Sequence, residues 1–139
     1  MYTEGFLTDS HQVHLEIDGF PYTVDRSLED GGKNEGTSPH GFLLGSIASC
    51  KMIVAKSYLD HNNIAYEKID VQANSKIKGP KRSETIAIEV KLVVLGANLD
   101  EKQLRYMQRI VDKGCTMANI LTSGGENTVD TIIETQKKT

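Results

Sequence analysis

Two cysteines, Cys50 and Cys115, are the residues of this chain best suited to covalent chemistry. Such a pair is either two buried small hydrophobes or a redox couple. It is too small and too widely spaced for a secreted disulfide scaffold or a cysteine-based zinc site. A thiol with a pKa near 8.5 is only about 3% thiolate at neutral pH, so a reactive Cys50 needs a neighbouring cation. Its helix neighbours Ser46, Ile47, Ile53 and Val54 supply none, and the charge is expected from elsewhere in the fold or from a second subunit. The four histidines, His11, His14, His40 and His61, are scattered. His11 and His14 are three apart in a strand and point to opposite faces, so no metal site is expected. The loop Gly31-Gly32-Lys33-Asn34-Glu35-Gly36-Thr37-Ser38 has the outline of a phosphate-binding loop. The lysine that should follow the second glycine is missing, and neither nucleotide nor any other cofactor is expected.

These residues need elements to position them. Val13, Leu15 and Ile17 alternate with His14 and Glu16, Asp18-Gly19 interrupts, and Phe20, Tyr22 and Val24 alternate again, which predicts a hairpin whose turn needs positive φ. From Asp25 to Ser38 the chain is polar and glycine-rich and predicts a loop. Thr37 or Ser38 then caps a long helix with Pro39 in its first turn, ending near His61-Asn62-Asn63. Leu43, Ile47, Cys50, Val54 and Tyr58 form one stripe on it, and Phe42, Leu44, Ile53 and Leu59 widen that stripe, so its first half is apolar nearly all round and is expected at the buried centre. Two strands follow, with Ile69, Val71, Ala73, Ser75 and Ile77 on one face, a turn at Gly79-Pro80, and Ile86, Ile88, Val90, Leu92 and Val94 on one face. Asp100 with Gln103 predicts a capping box, and Leu99 with Leu104 a hydrophobic staple. The helix they start turns Leu104, Met107 and Val111 inward up to Gly114. Cys115-Thr116 opens a short third helix, Gly124-Gly125 ends it, and Thr128 to Glu134 is a last strand. The order predicts an α+β fold with antiparallel sheets.

With 139 residues the chain has room for one domain, 1–139. Its 38% apolar and 25% charged residues match ordinary globular usage and exclude disorder. The net charge of −3 gives no field that attracts nucleic acid or an anionic membrane. Phe42 to Ala55, the most apolar stretch, is interrupted by Gly45, Ser46, Ser49 and Lys51, so no membrane span is expected. No basic start followed by an apolar run marks a secretory signal, and a cytoplasmic location is expected.

Asp25, Gly31-Gly32, Gly36-Thr37-Ser38-Pro39, Phe42-Leu43-Leu44 and Ser46-Ile47-Ala48-Ser49-Cys50 together resemble the signature of the OsmC/Ohr family, the osmotically inducible and organic hydroperoxide resistance proteins. Ile88 to Gly96 with Leu99-Asp100 resembles the strand, turn and helix that follow, and Cys115 sits where a second cysteine opens the next short helix. The match runs from about Val13 to the last strand. It implies an intertwined homodimer, with long central helices between sheets and thiol sites at the interface. It also implies reduction of organic hydroperoxides, with fatty-acid or aryl peroxides preferred over hydrogen peroxide. By the same resemblance Cys50 matches the peroxidatic cysteine, which becomes a sulfenic acid, and Cys115 the resolving cysteine, whose disulfide is reduced by a dithiol such as a lipoyl group.

The chain departs from that family at three points. Where active members carry a glutamate ten residues before the first cysteine, this chain has His40, and Leu7 to His14, where their arginine belongs, contains no Arg or Lys. Ten helical residues span about 15 Å, so His40 acts on the Cys50 of its own helix only indirectly or across a dimer interface. Thr116 replaces the usual proline after the second cysteine. The expected function is thiol-dependent hydroperoxide reduction by Cys50 and Cys115, with Arg26, Lys33 or His40 as substitute activators. Its competitors are a non-enzymatic dimer holding a small hydrophobic ligand, and a structural or regulatory dimer with inert buried thiols.

Overall fold

The computed structural model describes residues 1–137, and its first turn is the one the sequence predicts: Asp18 and Gly19 have φ of 48° and 87°. They join β2 (Val13–Ile17) to β3 (Phe20–Val24), with Ile17 opposite Phe20 and Val13 opposite Val24. A strand the sequence did not announce, β1 (Thr3–Leu7), pairs antiparallel with β2 on its other edge. All five of its residues are exposed, so backbone pairing holds it and no buried face imposes an alternating pattern.

The polar loop after β3 is wound around Asp25, which is only 2% exposed. Its carboxylate accepts hydrogen bonds from Gln12 Nε2 at 3.1 Å and from the backbone N–H groups of Arg26 at 2.7 Å and Glu35 at 3.1 Å, with Lys33 N–H near both oxygens at 3.3 and 3.4 Å. The loop returns against β3 at Gly36, where a Cβ would lie 2.3 Å from the Thr23 carbonyl oxygen; only glycine permits that approach. Asp25 N–H then donates to the Thr37 carbonyl at 3.0 Å. Ser38 is the cap of the long helix, its Oγ accepting from Gly41 N–H at 3.1 Å. Val13, Leu15, Val24, Pro39 and Phe42 line an apolar hollow beside it. These residues belong to one compact unit, Met1–Leu43, and a second runs from Leu44 onward.

The helix α1 (Pro39–His61) has 23 residues. Its end is a left-handed cap: Asn63 has φ of 55°, Ile64 N–H donates to the Leu59 carbonyl at 2.9 Å and Asn63 N–H to that of Asp60 at 3.2 Å, which satisfies carbonyls the helix leaves open. The polar interruptions do not bring it below the length and apolar content of a membrane span. It is nevertheless a core helix, because Ile47, Ala55 and Leu59 are at most 1% exposed within the core of the second unit. Only one stripe is buried in this way; Ile53, expected inside, is 66% exposed.

The remaining strands form one sheet in the order β4-β5-β6. β4 (Lys68–Lys78) and β5 (Thr85–Leu95) pair antiparallel along their whole length, from Lys68 opposite Leu95 to Lys78 opposite Thr85. Ile86, Ile88, Val90, Leu92 and Val94 are all buried, as the alternation predicts. β6 (Thr128–Gln136) runs parallel to β5, so this sheet is mixed where antiparallel pairing was expected. The reason is the connection: α2 (Glu101–Gly114) and α3 (Thr116–Thr122) carry the chain across before it pairs again, as a parallel neighbour requires. The fold is α+β, with two three-stranded sheets and three helices among the described residues.

Candidate thiol site

Cys50 lies midway along α1, half-buried against the core of the second unit, and Cys115 is fully buried between α2 and α3. Both are free thiols, and they are near enough to act on each other electrostatically, Cys50 pushing the Cys115 thiol up. The two cysteines are thus neighbours in the core, an arrangement open both to a redox couple and to two packed small hydrophobes.

Three features of α2 and its neighbours bring Cys115 to Cys50. The first is Gly114, whose added Cβ would lie 2.9 Å from Cγ1 of Val54. Val54 is one turn after Cys50 on α1, so the missing side chain lets the end of α2 lie against the helix that carries the first thiol. The second is Cys115 itself, in extended conformation with φ of −83° and ψ of 100°. It ends α2 and caps α3, its Sγ accepting from Ala118 N–H at 3.4 Å. The third is Lys51, 1% exposed, whose Nζ donates to the Val111 carbonyl oxygen at 3.1 Å. Val111 is in the last turn of α2, where carbonyls lack intrahelical donors. The Lys113 carbonyl nearby is met by Asn119 Nδ2 at 2.9 Å.

The electrostatics around Cys115 are opposed. Burial pushes its thiol up, and the nearby Cys50 pushes in the same direction; the Ala118 N–H and the charge of Lys51 pull it back, and the net shift is upward. A resting Cys115 is therefore a protonated thiol at neutral pH.

Of the residues the sequence nominated, Cys50 and Cys115 meet in the second unit. His40, in the first turn of α1, and Arg26 and Lys33, in the loop around Asp25, belong to the first. In the sequence Lys51 reads only as an interruption of an apolar stretch, and the helix neighbours of Cys50 promise no cation. The buried stripe runs through Ile47, Lys51, Ala55, Tyr58 and Leu59. Counting in fours from Ile47 places Lys51 on it, and that was the signal available in the sequence. Among the described residues no cluster of three or more His, Cys, Asp or Glu side chains is able to hold a metal ion.

The family described as OsmC-like protein matches residues 32–130. No curated protein sequence matches the chain. Among solved structures, an OsmC-like protein from Mycoplasma pneumoniae is similar with a TM-score of 0.82 at 16% identity, over 96% of this chain and 95% of that one. An organic hydroperoxide resistance protein OsmC from Legionella pneumophila, described as a predicted redox protein, gives 0.75 at 14% over 96% and 95%. An organic hydroperoxide resistance protein from Elizabethkingia anophelis gives 0.75 at 14% over 98% and 97%. At these identities the structures speak for the fold alone. The family match covers well over half of the sequence and holds both cysteines, and the chain belongs to the OsmC-like family.

Proposed function

We propose that the protein reduces organic hydroperoxides with Cys50 and Cys115, as a homodimer in the cytoplasm. The observation that carries the reading is the proximity of two free thiols, one half-buried and one fully buried, in a largely apolar core. The names of the Legionella and Elizabethkingia proteins support the choice of substrate class.

In this reading the Cys50 thiolate attacks the peroxide O–O bond. Its sulfur takes the distal OH as a sulfenic acid, and the alkoxide leaves and is protonated to the alcohol. Cys115 then gives up its proton and attacks the Cys50 sulfur. The S–O bond breaks, hydroxide leaves and takes a proton to become water, and a Cys50–Cys115 disulfide results. A dithiol such as a lipoyl group exchanges with that disulfide, restoring both thiols and becoming a cyclic disulfide itself. Arg26 and His40 are the supporting residues assigned to the Cys50 thiolate in place of the arginine and glutamate this chain lacks.

The test is peroxide consumption by the purified protein with dihydrolipoamide, using cumene hydroperoxide and hydrogen peroxide beside the Cys50→Ser variant. Turnover of the organic peroxide that vanishes in the variant is expected. Absence of turnover, together with a melting temperature raised by small apolar ligands, would instead support the non-enzymatic ligand-binding dimer.

A further inference from the structure

Lysine is almost never fully buried unless something pairs with it, yet Lys51 is 1% exposed in the middle of α1. Among the described residues its hydrogen-bond partner is the Val111 carbonyl, at 3.1 Å. Burying a charge is a costly way to satisfy a single carbonyl; at the exposed side of the same helix end a neutral asparagine serves the Lys113 carbonyl. The ammonium also sits at the C-terminal end of α2, where the helix dipole favours a cation. Of its three donors, Val111 takes one. The anchored residue is four positions before Cys115.

We infer that Lys51 is a positioning residue for the resolving step: it pins the Cys115 end of α2 to α1 and supplies the positive charge needed when the buried Cys115 thiol gives up its proton to attack the Cys50 sulfur. The inference rests on the reading of Cys115 as the resolving thiol. Among the groups acting on Cys115, burial and Cys50 raise its pKa, whereas Lys51 is the charged side chain that lowers it. The other ionisable groups on these elements do not compete: Asp112 and Lys113 on α2 are exposed, and the buried positions of β5 and α3, Ile88, Val90, Leu92 and Ala118, carry no charge.

The step is measured without peroxide by using dithionitrobenzoate. Cys50 forms a mixed disulfide and releases one coloured thiolate; Cys115 then attacks the Cys50 sulfur, breaks the mixed disulfide and releases a second. In Lys51→Met the second release should slow about tenfold at pH 7, the effect of one pKa unit on the thiolate fraction. The deficit should shrink as pH rises, and Lys51→Arg should retain most of the wild-type rate. Lys51→Gln, which keeps a donor without the charge, carries the same test if Lys51→Met does not fold. A second release at the wild-type rate in the uncharged variants, or a loss equal at every pH, would overturn the inference. A parallel reaction with cumene hydroperoxide separates the two claims. Failure of peroxide to oxidise wild-type Cys50, with the second release still dependent on Lys51, would remove the peroxidase reading and leave this one standing.

Discussion

Asp25 shows how one side chain can organise a long polar segment. Burial by itself would raise its pKa, but Gln12 and the backbone N–H groups of Glu35, Arg26 and Lys33 outweigh that and hold the carboxyl down at about 2 against an ordinary 3.8. Because the folded pKa lies below the unfolded one, the stability Asp25 contributes is fully present above about pH 4 and is lost as pH falls through about 2. Urea midpoints measured from pH 5 to pH 2 should decline, and the Asp25→Asn variant should start lower and decline less steeply. Equal slopes in the two proteins would show that the carboxylate does not hold the loop. The sequence exposed Asp25 as part of a family signature, but not its partners. These lie at Gln12 and across a loop whose backbone donors no pattern of side chains reveals. Lys51 was hidden differently, by the phase of its helix: an apolar stripe drawn through Cys50 left it outside, and the packed stripe runs through it.

The start of α2 is the element where local chemistry and structure agree most closely. Gln103 N–H donates to Asp100 Oδ1 at 2.7 Å while Asp100 N–H donates to Gln103 Oε1 at 3.0 Å, the reciprocal capping box read from the sequence. Asp100→Ala should cost about 1 kcal/mol, a fall of roughly 4 °C in melting temperature for a chain of this size. An unchanged melting curve would mean that tertiary packing, not the cap, fixes the helix start. β5 was equally legible, since five alternate residues are buried and each must be apolar. What local patterns could not carry was direction and partnership. An alternating segment reads the same whether its neighbour runs parallel or antiparallel, so the pairing of β6 with β5 became visible only in the register. β1 escaped for the complementary reason, having no buried face to pattern.

For the whole molecule, the single chain leaves large apolar side chains in water. Ile53 on α1 is 66% exposed, Tyr106 on α2 is 55% and Ile120 on α3 is 64%, and Ile53, Val54, Tyr58, Tyr106 and Ile110 share one open groove. A patch of this kind marks an interaction surface, and a second copy is the occupant the proposed homodimer supplies. Sedimentation should give a dimer at micromolar concentration, converted to a folded monomer by Ile53→Asp. A wild-type monomer would remove the dimer and with it any part a partner subunit plays at Cys50. The central claim concerns the thiols themselves, and a single-turnover titration tests it most directly. Reduced protein given one equivalent of cumene hydroperoxide should lose both titratable thiols and yield one disulfide-linked peptide pair containing Cys50 and Cys115. Two thiols still free after the peroxide is added would contradict it.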